Sequence, residues 1–193
     1  MPRCYSEAFK YIKQKTAFPD AMLKAFRQYG PGLMVPAAWT TAITAVSTQK
    51  MPENGLLIAH VIMAVLMALF LVSGRKEMNK GVLKAWKTVI TLGLPLTAFG
   101  ALGLTGVYTE VLTAFSLLGW MLLPGLALVY TGKKDETYGT GYTVSGLFSL
   151  LGLSVFLISM FYPLRQEVLS LSGLFLVFVG QSAGIFLAVH QNS

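Results

Sequence analysis

The sequence predicts an all-α, polytopic integral membrane protein, with six transmembrane helices arranged as three tandem two-helix hairpins. Only 12% of its 193 residues are charged, about half of the ~25% found in a soluble domain, and the mean hydropathy is +0.63. The charged residues are grouped in short clusters, which leave long charge-free stretches between them. These stretches do not alternate in polarity as the strands of a membrane barrel do, so they indicate helices.

Six stretches are long enough to cross the hydrocarbon core of a bilayer, which takes about 20 apolar residues in a helix. We place the spans at about 28–49, 54–74, 88–109, 111–132, 141–163 and 168–190. The first span is the least regular, because Pro31 and Pro36 lie near its start. Proline is tolerated there, since the first amides of a helix have no intrahelical partner. A re-entrant segment is the alternative for this stretch.

The basic residues predict the orientation of the chain. With six spans, thirteen Lys and Arg residues share one side with both termini, and the other side holds only Lys50 and Arg165. Cytoplasmic loops are enriched in Lys and Arg. We therefore expect cytoplasmic termini in a cell (inner) membrane, or matrix-side termini in the mitochondrial inner membrane. The net charge of +7 is explained by topology, and we predict no nucleic-acid partner.

Residues 1–27 form an N-terminal segment ahead of the first span. Apolar residues such as Phe9 and Ile12 face away from its lysines in a helix, which predicts an amphipathic cytoplasmic or interfacial segment. The predicted contacts with anionic lipid headgroups are Lys10, Lys13 and Lys15, together with Lys84 and Lys87 at the start of the third span. A solvated extension of the first span is the alternative.

Glutamates recur at a fixed interval along the chain. Each predicted outer loop ends in one glutamate, Glu53, Glu110 or Glu167, and both intervals are 57 residues. This periodicity predicts three copies of a helical hairpin, related as parallel repeats around an axis along the membrane normal. An evenly spaced six-span chain without true repetition is the alternative.

Small residues are frequent within the spans and indicate close helix packing. Gly180 and Gly184 form a GxxxG pair in the last span, and Gly146 and Gly152 lie in the fifth. We predict that these four glycines hold the bundle together rather than form a contact between copies of the chain.

A few polar residues lie inside the predicted spans and are the candidate functional residues. Gln181 is the most polar residue well inside a span, and an amide there requires a partner or water. We predict a narrow pore lined by Gln181, His60, Thr41, Thr40 and Ser116. Hydrogen bonding between helices is the alternative role for all of them. Most of a set of aromatic residues fall near span ends, as in an aromatic belt; the set is Trp39, Trp86, Tyr108, Tyr130, Tyr138, Tyr142 and Tyr162.

The sequence carries no motif for catalysis or for metal binding. Cys4 is the only cysteine, and the two histidines, His60 and His190, lie near opposite ends of the bundle. These residues do not make up a zinc or haem site. The nucleotide-binding, hydrolase and metalloprotease motifs are absent from the sequence. We therefore predict a non-enzymatic protein with neither cofactor nor metal.

The size, the six spans and the hairpin repeat resemble two families of small prokaryotic membrane proteins. Gly146, Gly152, Tyr162-Pro163 and Gly173 follow the glycine rhythm of the HdeD-like acid-resistance family. This resemblance implies two-helix units and a stress-related role. Pro31-Gly32-Leu33-Met34 and Thr40-Thr41 resemble the surroundings of the signature of the acetate/succinate transporter family. The signature itself, Asn-Pro-x-Pro-Leu-Gly-Leu, is missing.

The leading functional hypothesis is a passive pore or permease for a small neutral or weak-acid solute. The alternative is an accessory or structural subunit of a larger membrane complex, or a stress-response membrane protein without transport activity. The expected partners are anionic lipid and either further copies of the chain or other subunits. A pore requires polar residues of several helices to converge on one axis, whereas a structural subunit does not.

Overall fold

The computed structural model describes residues 29–30, 32–48, 51, 54–74 and 83–191, and all regular secondary structure in these ranges is helical. We number the helices α1 (29–30 and 32–48), α2 (Gly55–Ser73), α3 (Leu83–Leu104), α4 (Thr109–Lys134), α5 (Gly139–Ser159) and α6 (Gln166–Gln191). A short 3₁₀ helix, Pro163–Arg165, precedes α6. The predicted N-terminal segment, 1–27, with Lys10, Lys13 and Lys15, lies outside the described residues.

Five of the described helices, α2 to α6, are long and apolar enough to cross a membrane. The prediction of an all-helical protein with several apolar helices that could span a membrane is therefore confirmed for this part of the chain. The described part of α1 at 32–48 is shorter than these five helices. Exposed apolar side chains, such as Ile62 on α2, Phe115 on α4 and Phe175 on α6, cover the outside of the bundle. A surface of this kind suits lipid rather than water.

The helix boundaries differ from the prediction most at the third span. That span was predicted at 88–109, but α3 begins at Leu83 and ends at Leu104. Lys84 and Lys87 lie in the first turns of this helix, and the search for charge-free stretches excluded these turns. It ends early because Gly106 has a φ of +95° and Tyr108 a φ of +43°, which no α-helix contains. The fifth span was predicted to end at 163, but α5 ends at Ser159, and a turn at 160–161 separates it from Pro163.

Consecutive helices from α2 to α6 pack against one another, and the glycine contacts show that α3, α4, α5 and α6 run antiparallel in turn. On α5, Gly152 faces Gly173 of α6, whereas Gly141, eleven residues earlier, faces Leu187, fourteen residues later on α6. The connections at 105–108 and 160–165 therefore lie at the same end of the bundle. Following the predicted orientation, we call this the outer end and the opposite end the inner end.

The first helix packs against the last one. Gly32 lies beside Phe186 and Val189, near the inner end of α6. Trp39 belongs to the buried core together with Leu174 and Val177, which lie 9 to 15 residues before Phe186 and Val189 and hence nearer the outer end of α6. Because later residues of α1 contact earlier residues of α6, the two helices run antiparallel.

Helices α4 and α6 match in length and in spacing. Each has 26 residues, and both ends of α6 follow the corresponding ends of α4 by 57 positions, which is the interval between Glu110 and Glu167. Helix α4 packs against α3, α5 and α6. Helix α6 is the most buried of the five apolar helices, with 44% of its apolar stretch buried against 11% in the peripheral helix α2.

Candidate functional site

The side chain of Gln181 lies at the centre of the bundle and is 4% exposed. Its Oε1 accepts a hydrogen bond from Trp39 Nε1 of α1 at 2.9 Å. Its Nε2 lies 3.0 Å from Ser149 Oγ of α5, 3.0 Å from the Trp120 carbonyl and 3.3 Å from the Met121 carbonyl of α4. We call these groups the Gln181 network. Both ends of the amide have partners, so four helices meet at a side chain whose carbonyl oxygen and amino group are both hydrogen-bonded within the bundle.

Three further hydrogen bonds belong to the Gln181 network or extend it to neighbouring groups. Ser149, which is fully buried, donates to the Met121 carbonyl at 3.2 Å. Trp120 Nε1 donates to Thr97 Oγ1 of α3 at 3.1 Å, and this hydroxyl donates to the Gly93 carbonyl of its own helix at 3.0 Å. Five helices, α1 and α3 to α6, are thus joined through polar groups that satisfy one another, as buried polar groups must.

His60 and Ser116 form a second polar site, where α2, α3 and α4 meet. His60 is half-buried, and its Nδ1 lies 2.8 Å from the Leu56 carbonyl. Because a carbonyl can only accept, the Nδ1 of the neutral ring carries the proton and Nε2 is left as an acceptor. That Nε2 and Ser116 Oγ each lie 2.6 Å from the position a Cβ on Gly100 would take. The absence of a side chain at Gly100 therefore makes the space in which two polar groups from different helices face each other.

Thr40 and Thr41 do not join either site. Thr40 Oγ1 donates to the Pro36 carbonyl at 2.8 Å, and Thr41 Oγ1 donates to the Ala37 carbonyl at 2.9 Å. Both hydroxyls therefore bond one turn back along their own helix. Thr40 is exposed on the surface of α1, and Thr41 is half-buried.

The four predicted packing glycines lie at contacts between helices of the same chain. Gly146 faces the backbone of α4, and Gly152 faces the backbone of α6. Gly180 faces the backbone of α5, and Gly184 lies against Leu128 of α4. Both glycines of the GxxxG pair thus make contacts with other helices of the same chain.

Among the residues that the structure describes, two buried hydroxyls have no hydrogen-bond partner. They are Thr131 Oγ1 near the inner end of α4 and Ser182 Oγ next to Gln181 on α6. A buried polar group without a partner is unfavourable, and such groups are commonly served by an internal water molecule.

A hydrogen-bonded chain and a shallow pocket lie at the inner end. Asp135 accepts hydrogen bonds from the amides of Thr137 and Tyr138 at 3.0 and 2.7 Å, and from Gln191 Nε2 at 2.6 Å. The hydrogen bond from Gln191, followed by that from Tyr138, lowers the pKa of Asp135 below 3.8. Tyr142 Oη donates to Gln191 Oε1 at 2.8 Å. Asp135 thus holds the turn that precedes α5 and the end of α6 together. The adjacent pocket, of about 370 Å³, is lined by residues of both α4 and α5.

Within the ranges that the structure describes, no group of three or more His, Cys, Asp or Glu side chains could hold a metal ion. Lys87 is half-buried in α3, and Lys84 belongs to the same helix.

Sequence reasoning missed the partners of Gln181. The aromatic-belt interpretation of Trp39 is wrong, because this side chain is 5% exposed in the core and its N–H binds Gln181. Tyr142 is likewise buried rather than at the surface. The positions of Trp39, well inside the first span, and of Ser149, on a stripe of small residues, are signals for buried partners.

The fold and the polar sites together define a class, that of helical proteins with several apolar helices that could span a membrane and with a hydrogen-bonded interior. Comparisons with protein families, with curated proteins and with solved structures find no match to this chain.

Proposed function

We propose that the chain is a non-enzymatic, multi-pass membrane protein that acts as a structural or accessory subunit of a larger membrane complex. The observation that carries this proposal is that both ends of the Gln181 amide are hydrogen-bonded within the bundle. A residue that lines a pore must offer donors or acceptors to the solute or to water. The carbonyl oxygen of the Gln181 side chain faces Trp39, and its amino group faces Ser149 and the backbone of α4. The most polar side chain inside the spans therefore serves cohesion of the bundle.

The proposal includes six membrane crossings as three hairpins. The antiparallel packing of α1 on α6 supports a full crossing by α1, since Gly32 lies near the inner end of α6 and Trp39 near its middle. The equal lengths of α4 and α6 support the hairpin repeat. We expect both termini on the cytoplasmic or matrix side, where the basic N-terminal segment meets anionic headgroups.

The test is a flux measurement combined with purification under mild conditions. Liposomes that contain the protein are compared with empty liposomes for uptake of urea, glycerol, ammonia and acetate. We expect equal rates, together with a stoichiometric complex larger than the monomer after mild solubilisation of the native membrane. Saturable uptake above that of empty liposomes, or a protein that purifies only as a monomer, would contradict the proposal.

A passive pore for a small neutral or weak-acid solute is the second candidate, and the site of His60 and Ser116 favours it. These two polar side chains come from different helices and face one point in the outer half of the bundle. A pore at this site predicts solute flux that falls at least tenfold in Ser116→Leu. Thr40→Leu, a change on the exposed surface of α1, is the matched control and is expected to leave that flux unchanged.

A further inference from the structure

Helix α4 contains a proline, Pro124, that is buried in the middle of the helix. Proline has no N–H, so the carbonyl four residues earlier receives no helical hydrogen bond from this position. In α4 that carbonyl belongs to Trp120. An unpaired carbonyl inside a membrane bundle is strongly unfavourable, because lipid offers no donor.

Gln181 of α6 supplies the missing donor. Its Nε2 lies 3.0 Å from the Trp120 carbonyl. The orientation of the amide is set from the other end, because Trp39 Nε1 can only donate and therefore fixes Oε1 on its own side at 2.9 Å. The two hydrogens of the amide are thereby directed toward α4 and α5.

The proline of the neighbouring helix provides an internal comparison. Pro95 of α3 frees the Thr91 carbonyl in the same way. Pro95 is exposed on the surface of the bundle. Among the residues that the structure describes, no side chain donates to the Thr91 carbonyl. Replacement of the lost donor is thus a property of the buried proline and not of every proline in the bundle.

We propose that Pro124 and Gln181 form a hinge and latch built into the bundle. Gln181 replaces the amide that Pro124 lacks and holds α4 in its packed conformation, and release of Gln181 allows α4 to bend at Pro124. Prolines are the usual sites of helix bending, because both a hydrogen bond and a steric restraint are changed there. This device concerns changes of shape and is independent of whether the protein is a subunit or a pore.

The experiment observes the Trp120 carbonyl directly in lipid bilayers by solid-state NMR. Protein labelled with carbonyl ¹³C in tryptophan and ¹⁵N in methionine gives one carbonyl–nitrogen signal. Of the three tryptophans, only Trp120 precedes a methionine. In Gln181→Met we expect the carbonyl signal to move upfield, since the hydrogen bond is lost, and the order parameter of this peptide plane to fall.

The matched variants separate the latch from ordinary packing. In Pro124→Ala/Gln181→Met, the new amide at position 124 bonds the Trp120 carbonyl, so we expect neither the upfield shift nor the loss of order. In Pro95→Ala/Gln181→Met we expect both the upfield shift and the loss of order, as in Gln181→Met alone. If Gln181→Met does not fold by itself, the double variant with Pro124→Ala is expected to fold and the one with Pro95→Ala is not.

Three results would overturn the proposal. The first is an unchanged carbonyl signal in Gln181→Met. The second is equal rescue by Pro124→Ala and Pro95→Ala. The third is an upfield shift with an unchanged order parameter, which would make Gln181 a fixed contact and not a latch.

Discussion

At the scale of single residues, the environment of Gln181 shows how a membrane interior handles a polar group. Its Oε1 has a single donor, Trp39 Nε1, which comes from a residue 142 positions away in the chain. Removal of that donor leaves a buried carbonyl oxygen without a partner, at a cost of roughly 1–3 kcal/mol. Trp120 differs from Trp39, because its N–H donates to Thr97 Oγ1. When that N–H is removed, the Thr97 hydroxyl keeps the Gly93 carbonyl as its partner.

We therefore predict that Trp39→Phe destabilises the fold more than Trp120→Phe. Both changes replace a buried or half-buried indole with a smaller ring, and only the first leaves an unsatisfied oxygen. The expected excess is about 1 kcal/mol in the free energy of unfolding, measured in mixed detergent micelles. Equal losses in the two variants would show that the hydrogen bond to Gln181 contributes little.

At the scale of helices, the closest contacts in the bundle depend on residues without side chains. A Cβ on Gly152 would lie 2.5 Å from the Gly173 carbonyl oxygen and 2.8 Å from the Val177 amide nitrogen. Both atoms belong to the backbone of α6, so α5 and α6 have to separate to admit even a methyl group. At Gly32 the nearest atom is Val189 Cγ2, a side-chain atom at 3.3 Å, which can move aside.

Gly152→Ala is accordingly expected to destabilise the protein by about 3 kcal/mol, the upper part of the usual range for overpacking. Gly32→Ala, the control at the contact of α1 with α6, is expected to cost less than about 1 kcal/mol. The free energies of unfolding of the two variants check this difference. A mild effect of Gly152→Ala would mean that the contact of α5 with α6 is looser than the structure shows.

At the scale of the whole molecule, the arrangement of the helices in the membrane follows from their antiparallel order and from charge. Leu164 at the outer end is fully exposed, and Thr137 lies exposed at the inner end. Tyr29, at the start of α1, is 49% exposed. If α1 crosses the membrane fully, Tyr29 and Thr137 lie on the same side.

Single cysteines introduced at these positions in a Cys4→Ser background test the topology. We expect an impermeant maleimide to label Leu164→Cys in intact cells, and to label Thr137→Cys and Tyr29→Cys only after permeabilisation. The physical reason is that a charged reagent does not cross the hydrocarbon core. Labelling of Tyr29→Cys from outside, with Thr137→Cys protected, would indicate a re-entrant first segment.

The sequence by itself determined the helical class, the approximate positions of the five described apolar helices and the candidate polar residues. These properties are local, since hydropathy over about 20 residues decides whether a segment suits lipid. The sequence analysis misplaced α3, because a search for charge-free stretches begins only after Lys84 and Lys87, whereas the helix begins at Leu83. It also held open two roles for Gln181, pore lining and cohesion between helices.

Only the tertiary structure decided which groups Gln181 meets. Trp39, Ser149 and the Trp120 carbonyl come from three other helices, and no spacing along the chain encodes their convergence. Likewise, no local pattern distinguishes the two prolines. Pro124 frees the Trp120 carbonyl, which receives a donor from α6. Pro95 frees the Thr91 carbonyl, which has no such donor among the described side chains. Hydrogen-bond partners inside a bundle depend on how the helices face one another, and that is a property of packing rather than of composition.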